Sequence, residues 1–327
     1  MATPPSFTKV MDNAVTETWY AMMPDVIDNI TDSIATLALL RERGRFKTQN
    51  GGQDITRTVR YALPTVSNVS KGDILPQGET QSKTAARWTW RYTAGHVQRS
   101  IFDDQINSGP DKVKDYVTDR IEELMLSLED DFEEKLHAAN AGTYSDESGK
   151  AMQSLVDMIP SNANKSTGTY GGIDRSNSWW QAKYKAGVAP KEVNLLDDMK
   201  NLYNTIDSGG KGHPNYIVTD QTLFEVYENY ALDASQIIKD EGTKLADLGF
   251  NVLRFKGQPM VYTTEAIDTT DMLMLNTDFI DVVYDPKMWF NLGPWKDVPL
   301  QGERIAHVIN ACNLISPQIR RHGRLYY

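Results

Sequence analysis

Cysteine is nearly absent. The single thiol, Cys312, excludes an intramolecular disulfide framework and any zinc or iron–sulfur site built from several thiolates. Long apolar runs are missing too. No stretch of about 18 consecutive apolar residues exists, which excludes a hydrophobic helical membrane span. Met1 to Val10 lacks a basic segment followed by an apolar one, so no secretory signal is read there. The expectation is a soluble protein made in a reducing compartment. Positive charge is in deficit: 34 Lys and Arg stand against 44 Asp and Glu, a net charge of −10 over 327 residues. Such a chain is poorly suited to wrap DNA over a broad surface, because phosphate neutralisation needs clustered Lys and Arg. One local basic patch is still compatible with it. The signature loops of common enzymes are also lacking: no Gly-x-Ser-x-Gly elbow, no phosphate-binding Gly-x-x-x-x-Gly-Lys loop, no dinucleotide fingerprint and no calcium loop. The histidines His96, His137, His213, His307 and His322 occur at neither His-x-x-His nor His-Glu-x-x-His spacing, which favours structural placement over metal ligation.

What is present is an ordinary globular composition, 40% hydrophobic and 24% charged, long enough for one large domain or two to three packed subdomains. Residues 1–50 read as an arm. Pro4 and Pro5 extend its start, and Val26, Ile27, Ile30, Ile34, Leu37 and Leu40 then step by three and four, predicting a helix that ends near Arg43-Gly44. From 51 the period changes to two. Ile55, Val59, Tyr61 and Leu63 alternate with polar residues, and so do Trp88, Trp90 and Tyr92. Between them lies a polar, turn-rich stretch, Ser67 to Ser82. The pair predicts an extended hairpin that is not stable alone. Its aromatic face, Trp88, Trp90 and Tyr92, requires a cover, another subunit being one source.

After Ser108-Gly109-Pro110, a good helix start, the series Val113, Val117, Ile121, Leu124, Leu128, Phe132 and Leu136 predicts a helix of roughly 30 residues, about 45 Å long. Residues 142–192 read as a long loop region. Residues 193–290 read as an α/β unit, with a helix over Leu195 to Ile206, a strand over Asn215 to Thr219, a helix capped by Asp220, and short strands that include Val282 to Tyr284. Alternation returns at Ile305, His307, Ile309 and Ala311.

The carboxylates Glu129, Asp130, Asp131, Glu133 and Glu134 fan around a helix rather than converge, so a solvated face or an inter-subunit charge partner is the better reading than metal binding or acid/base work. Cys312 sits in an apolar strand and reads as a small buried hydrophobe rather than a nucleophile. The adjacent Trp179-Trp180 leaves three readings open: a sugar platform, a pin holding the loop to its own chain, or an interface anchor.

The run Thr169-Tyr170-Gly171-Gly172-Ile173-Asp174-Arg175, followed by Trp179-Trp180, resembles a stretch that recurs in one group of tailed-bacteriophage major capsid proteins of the Hong Kong 97 type. Leu39-Leu40-Arg41 and Gly51-Gly52-x-x-Ile55 look similar to them too, and the order of segments along the whole chain matches. The resemblance implies an α+β fold with an N-arm (1–50), an extended hairpin loop and start of a peripheral domain (51–103), a spine helix and the Trp-Trp loop (104–192), an axial α/β domain (193–290) and returning peripheral strands (291–327). It implies a structural protein without catalytic residues, cofactor or metal, assembling with itself as hexamers and pentamers around double-stranded DNA. The expected location is the virion capsid, after synthesis in the host bacterial cytoplasm.

Expected partners are a separate scaffold protein (the arm is too short to contain one), a portal and decoration proteins; no membrane is involved. Trp88, Trp90, Tyr92, Lys71, Arg87 and Arg91 are the expected inter-subunit contacts. Gly171, Gly172, Asp174, Arg175, Trp179 and Trp180 are the expected loop anchor. Arg41, Arg43, Arg45, Arg320, Arg321 and Arg324 are expected to meet acidic patches on neighbours. Lys71 and Lys83 would be placed for a covalent cross-link, which is not expected here. The alternatives are an encapsulin-like compartment shell of the same fold and, from a different class, a carbohydrate-binding protein or hydrolase using Trp179-Trp180.

Overall fold

The computed structural model describes residues 35–64, 66–75, 81–100, most of 124–137, 150–207, 212–233, 253–263, 270–299 and 302–327. Most of the expected arm, the first half of the long helix, and Glu129, Asp130 and Glu133 lie outside the described residues. Helix α1 (Ala35–Glu42) buries Leu37, Leu39 and Leu40. It ends where the sequence places the end: the Gly44 N–H donates to the Arg41 carbonyl and the Arg45 N–H to the Leu40 carbonyl, a paired closure of the last turn.

Two six-stranded sheets organise the rest. The first is built on β15 (Glu303–Ile315). One edge of β15 pairs with β4 (Arg91–Ser100) in unbroken antiparallel register from Glu303↔Ser100 to Cys312↔Arg91. The opposite edge receives, in turn, β12 (Asp281–Tyr284), β13 (Asn291–Leu292) and β14 (Lys296–Asp297). Strand β1 (Phe46–Thr48) adds to β12. The helical stretch within 124–137 packs Leu128, Phe132 and Leu136 into the same core.

The second sheet has the order β7 (Lys183–Ala186), β16 (Gly323–Tyr326), β11 (Asp271–Leu275), β8 (Tyr216–Asp220), β10 (Gln258–Thr263), β9 (Leu253–Phe255). Helix α2 (Lys191–Ile206) lies on β7 and β16, and α3 (Gln221–Asp233) on β8 and β10. Leu195, Met199, Leu202 and Ile206 form the buried stripe of α2, at the three-and-four spacing of an amphipathic helix. The Asp220 carboxylate accepts the Thr222 N–H at 3.1 Å and caps α3.

Strand membership differs from the sequence boundaries. β12, expected inside the α/β unit over 193–290, belongs to the first sheet. β7 and β16, expected in the loop region and the returning strands, complete the second. Both transfers depend on pairing between segments far apart in the chain, which local periodicity does not encode. β8 and β11 are buried on both faces. Tyr216, Val218, Leu273 and Leu275 point into the first core, while Ile217, Met272 and Met274 point into the second. The second sheet is therefore the wall between two apolar clusters.

His322 lies in this interior. Its Nδ1 accepts the Asn276 N–H at 3.1 Å, so Nε2 carries the proton toward the Ser316 hydroxyl at 3.0 Å. Burial pushes the imidazole down to about 3. Below pH ~6.5 the unfolded chain takes up a proton that the folded one refuses, so stability falls as pH drops from about 6.5 toward 3. Between pH 7 and 5 the wild type is expected to lose on the order of 2 kcal/mol more than His322→Asn. Urea unfolding at both pH values reads this directly; equal losses overturn it.

Candidate assembly surface

Among the described residues no group of three or more His, Cys, Asp or Glu side chains gathers as a metal site, and no helix is long and apolar enough to cross a membrane. His96 and His307, far apart in sequence, face each other across β4 and β15 with ring centroids 6.4 Å apart; strand register, not spacing, makes this pair. Cys312 is buried with its Sγ 3.8 Å from the Met152 sulfur, and burial pushes the thiol up to about 12. That environment suppresses the thiolate a nucleophile needs.

The surface features concentrate on the extended hairpin. Strands β2 (Asp54–Arg60) and β3 (Lys83–Thr89) pair antiparallel, Ile55 opposite Trp88. Here the expected aromatic face is corrected. Trp88 is 2% exposed and covered by its own chain. Trp90 is half-buried, with its Nε1–H donating to the Gly52 carbonyl at 2.9 Å. Only Tyr92, 59% exposed, stands out. The cause is a one-residue slip at Trp90: β3 buries even positions, Ala86 and Trp88, whereas β4 buries odd ones, Val97 and Arg99. A slip of one residue exchanges the faces of a strand.

What covers Trp88 is the Gly-Gly segment. Strands β5 (Thr169–Tyr170) and β6 (Ile173–Asp174) form a tight hairpin whose central residues, Gly171 and Gly172, have φ of +57° and +71°. Both positive angles suit a type I′ turn, which glycine adopts without strain. A Cβ on Gly171 would come within 2.8 Å of the Trp88 indole, so the approach needs glycine twice over. The Gly171 carbonyl accepts the Arg87 N–H at 2.8 Å. The Tyr170 ring meets Trp88 edge-on at 5.8 Å, its hydroxyl accepts the Ser316 N–H at 3.1 Å, and its carbonyl accepts Trp180 Nε1–H at 3.0 Å. Burial pushes the Tyr170 phenol up, keeping it neutral.

Arg175 lies over that ring at 5.5 Å and donates to the Asp157 carbonyl. Burial lowers the Arg175 pKa. Asp174 accepts the Ser176 N–H at 2.8 Å, which lowers its carboxyl and fixes the turn toward Trp179. Trp179 stacks on Tyr61 at 5.2 Å and Trp180 is buried. The segment thus bolts the base of the extended hairpin to the body of the same chain.

Beyond that bolt, the described residues 67–75 of the polar stretch are exposed, and large apolar residues are exposed within it and beside it. Leu63, Val66, Ile74 and Leu75 are 66–91% exposed. Lys71 and Arg87 are exposed and Arg91 half-buried. Three arginines expected to reach neighbours are instead held within the chain. Arg43 donates to Thr277 Oγ1 at 2.5 Å, Arg45 pairs with Asp278 at 2.5 Å, and Arg324, 1% exposed, pairs with Asp271.

No family model and no curated protein matches the sequence. Solved structures do. One chain of the cyanophage A-1(L) capsid asymmetric unit superposes with a TM-score of 0.63 at 17% identity, over 86% of this chain and 90% of that one. A chain of the capsid of Myoviridae phage XM1 gives 0.55 at 12% identity, over 87% and 90%. A chain of the native GTA particle capsid gives 0.53 at 11% identity, over 88% and 90%. At these identities the likeness shows the fold: the chain has the α+β fold of phage capsid chains, as the resemblance in its sequence implied.

Proposed function

We propose that this chain is a structural shell subunit, the major capsid protein of a tailed bacteriophage, assembling as hexamers and pentamers into an icosahedral shell around double-stranded DNA. The observation that carries the reading is the extended hairpin: bolted at its base by Gly171 and Tyr170, it presents Leu63, Val66, Ile74 and Leu75 to solvent at its far end. Large apolar side chains exposed on one element mark an interaction site, and another protein surface would remove them from water. The likeness to a phage capsid chain over 86% of the chain supports a second copy as the source of that surface. In this reading a separate scaffold protein, a portal and decoration proteins complete the particle, DNA touches the inner wall weakly because the subunit is acidic, and the subunit resides in the virion after synthesis in the host cytoplasm. The segment pairing across copies is hydrophobic at its centre and supported by Tyr92, Lys71, Arg87 and Arg91 at its rim. A carbohydrate platform is disfavoured, since Trp180 is buried and one face of Trp179 is occupied by Tyr61.

The test is electron microscopy and sedimentation of the chain expressed with its own gene neighbours. Closed shells of five- and six-fold rings are expected, with DNA rather than a cargo enzyme inside mature particles. A compact monomer under those conditions, at all concentrations and salts, overturns the proposal.

A further inference from the structure

A cavity of about 430 Å³ opens at the base of the extended hairpin, between Arg60 and Tyr61, Trp179, and the turn Gln318, Arg320 and Arg321. Its lining contains three arginines and no carboxylate. Nearby arginines each have at least one acceptor within the chain: Arg45 pairs with Asp278, Arg175 donates to the Asp157 carbonyl and Arg324 pairs with Asp271. Arg60 and Arg320 are exposed and Arg321 is half-buried; their guanidinium groups make no hydrogen bond or ion pair among the described residues, and Nε of Arg321 alone of the three is buried without a partner. A buried donor left unmatched is costly, so an acceptor supplied from outside the chain is stabilising. The remaining wall is largely apolar and includes the Tyr61–Trp179 stack, Trp180 and Phe279, which favours an apolar stem beside the anionic head.

We infer that this cavity receives a carboxylate-bearing side chain from a second copy of the chain, an inference that rests on the shell reading above. Guanidinium groups match a carboxylate in a planar, two-point geometry that a lysine does not reproduce. The rest of the molecule is rich in the required group, with 44 Asp and Glu against 34 Lys and Arg. A local excess of positive charge on an otherwise acidic subunit steers the acidic surface of another subunit toward it. The alternative anion in a phage particle is the DNA backbone. A concave cavity with an aromatic wall suits inserted side chains, whereas a duplex presents a broad convex row of phosphates.

The experiment places p-benzoylphenylalanine at the exposed Gln318 and irradiates assembled particles. The expected result is a copy-to-copy adduct on a denaturing gel, whose partner peptide carries Asp or Glu at or next to the linked residue. Arg320→Ala combined with Arg321→Ala is expected to cut adduct yield at least tenfold, or to abolish particles while leaving the free subunit's melting temperature unchanged. If the double variant unfolds, Arg321→Lys replaces it: a severalfold lower yield supports the inference, an unchanged yield overturns it. Particles that form without an adduct between copies, an adduct to DNA, or a partner peptide lacking a carboxylate each overturn the cavity's assignment and leave the shell reading standing. Absence of particles from the unmodified chain overturns both.

Discussion

Trp88→Ala is expected to lower the unfolding free energy of the isolated subunit by about 3–5 kcal/mol, the range for removing a large aromatic side chain from a packed core. The indole fills the space under the Gly171-Gly172 turn, where a Cβ on Gly171 would approach it to 2.8 Å, and meets the Tyr170 ring edge-on. No other side chain occupies that volume, and the glycines cannot reach into it. The hole therefore persists, and the hairpin base loses its bolt. Tyr92→Ala, at a position 59% exposed, is expected to change subunit stability by no more than about 0.5 kcal/mol. Urea unfolding of the free subunit separates the two. A loss below about 1 kcal/mol for Trp88→Ala would place that residue outside the subunit core and return it to the interface.

Arg324→Met carries the second large effect, expected at about 3–5 kcal/mol. Arg324 is 1% exposed, its Nε donates to Asp271 at 2.5 Å, and a second nitrogen donates to the Ile159 carbonyl at 3.2 Å. Truncation removes the guanidinium from beside the buried Asp271 carboxylate. The double variant Arg324→Met with Asp271→Leu is expected to cost far less than the sum of the single changes, since no charge is then stranded. A double-mutant cycle by chemical denaturation measures this. Strict additivity would mean the pair contributes nothing as a pair.

The contrast between these residues shows what the sequence made legible. Local periodicity located α1 and its end at Gly44, the stripe of α2, and the alternation of β15, because each depends on neighbours within a few positions. The segment around Gly171 and Trp180 stood out by its residue types alone. Its function as a bolt depends on Trp88, more than eighty positions earlier, and spacing does not connect the two. The slip at Trp90 was invisible for a related reason. Trp88, Trp90 and Tyr92 alternate without interruption in sequence, and only pairing with two different partner strands, β2 and then β15, exchanges the faces. The arginines show the same limit. Arg324 and Arg321 lie three positions apart, yet one is sealed in a buried ion pair and the other lines a cavity.

The two-sided burial of β8 and β11 has a consequence for how this chain accepts change. On β4, alternate positions face solvent and give a saturation library somewhere to place lysine or glutamate. β11 offers no such rows: Met272, Leu273, Met274 and Leu275 are each enclosed by one apolar layer or the other, and Asp271 is sealed in its ion pair with Arg324. A mutational landscape of the gene would show its narrowest tolerance there, rather than along the longer and more conspicuous β15. Drift in the sequence is channelled toward the hairpin and the loops, where surfaces can be rewritten without disturbing either layer.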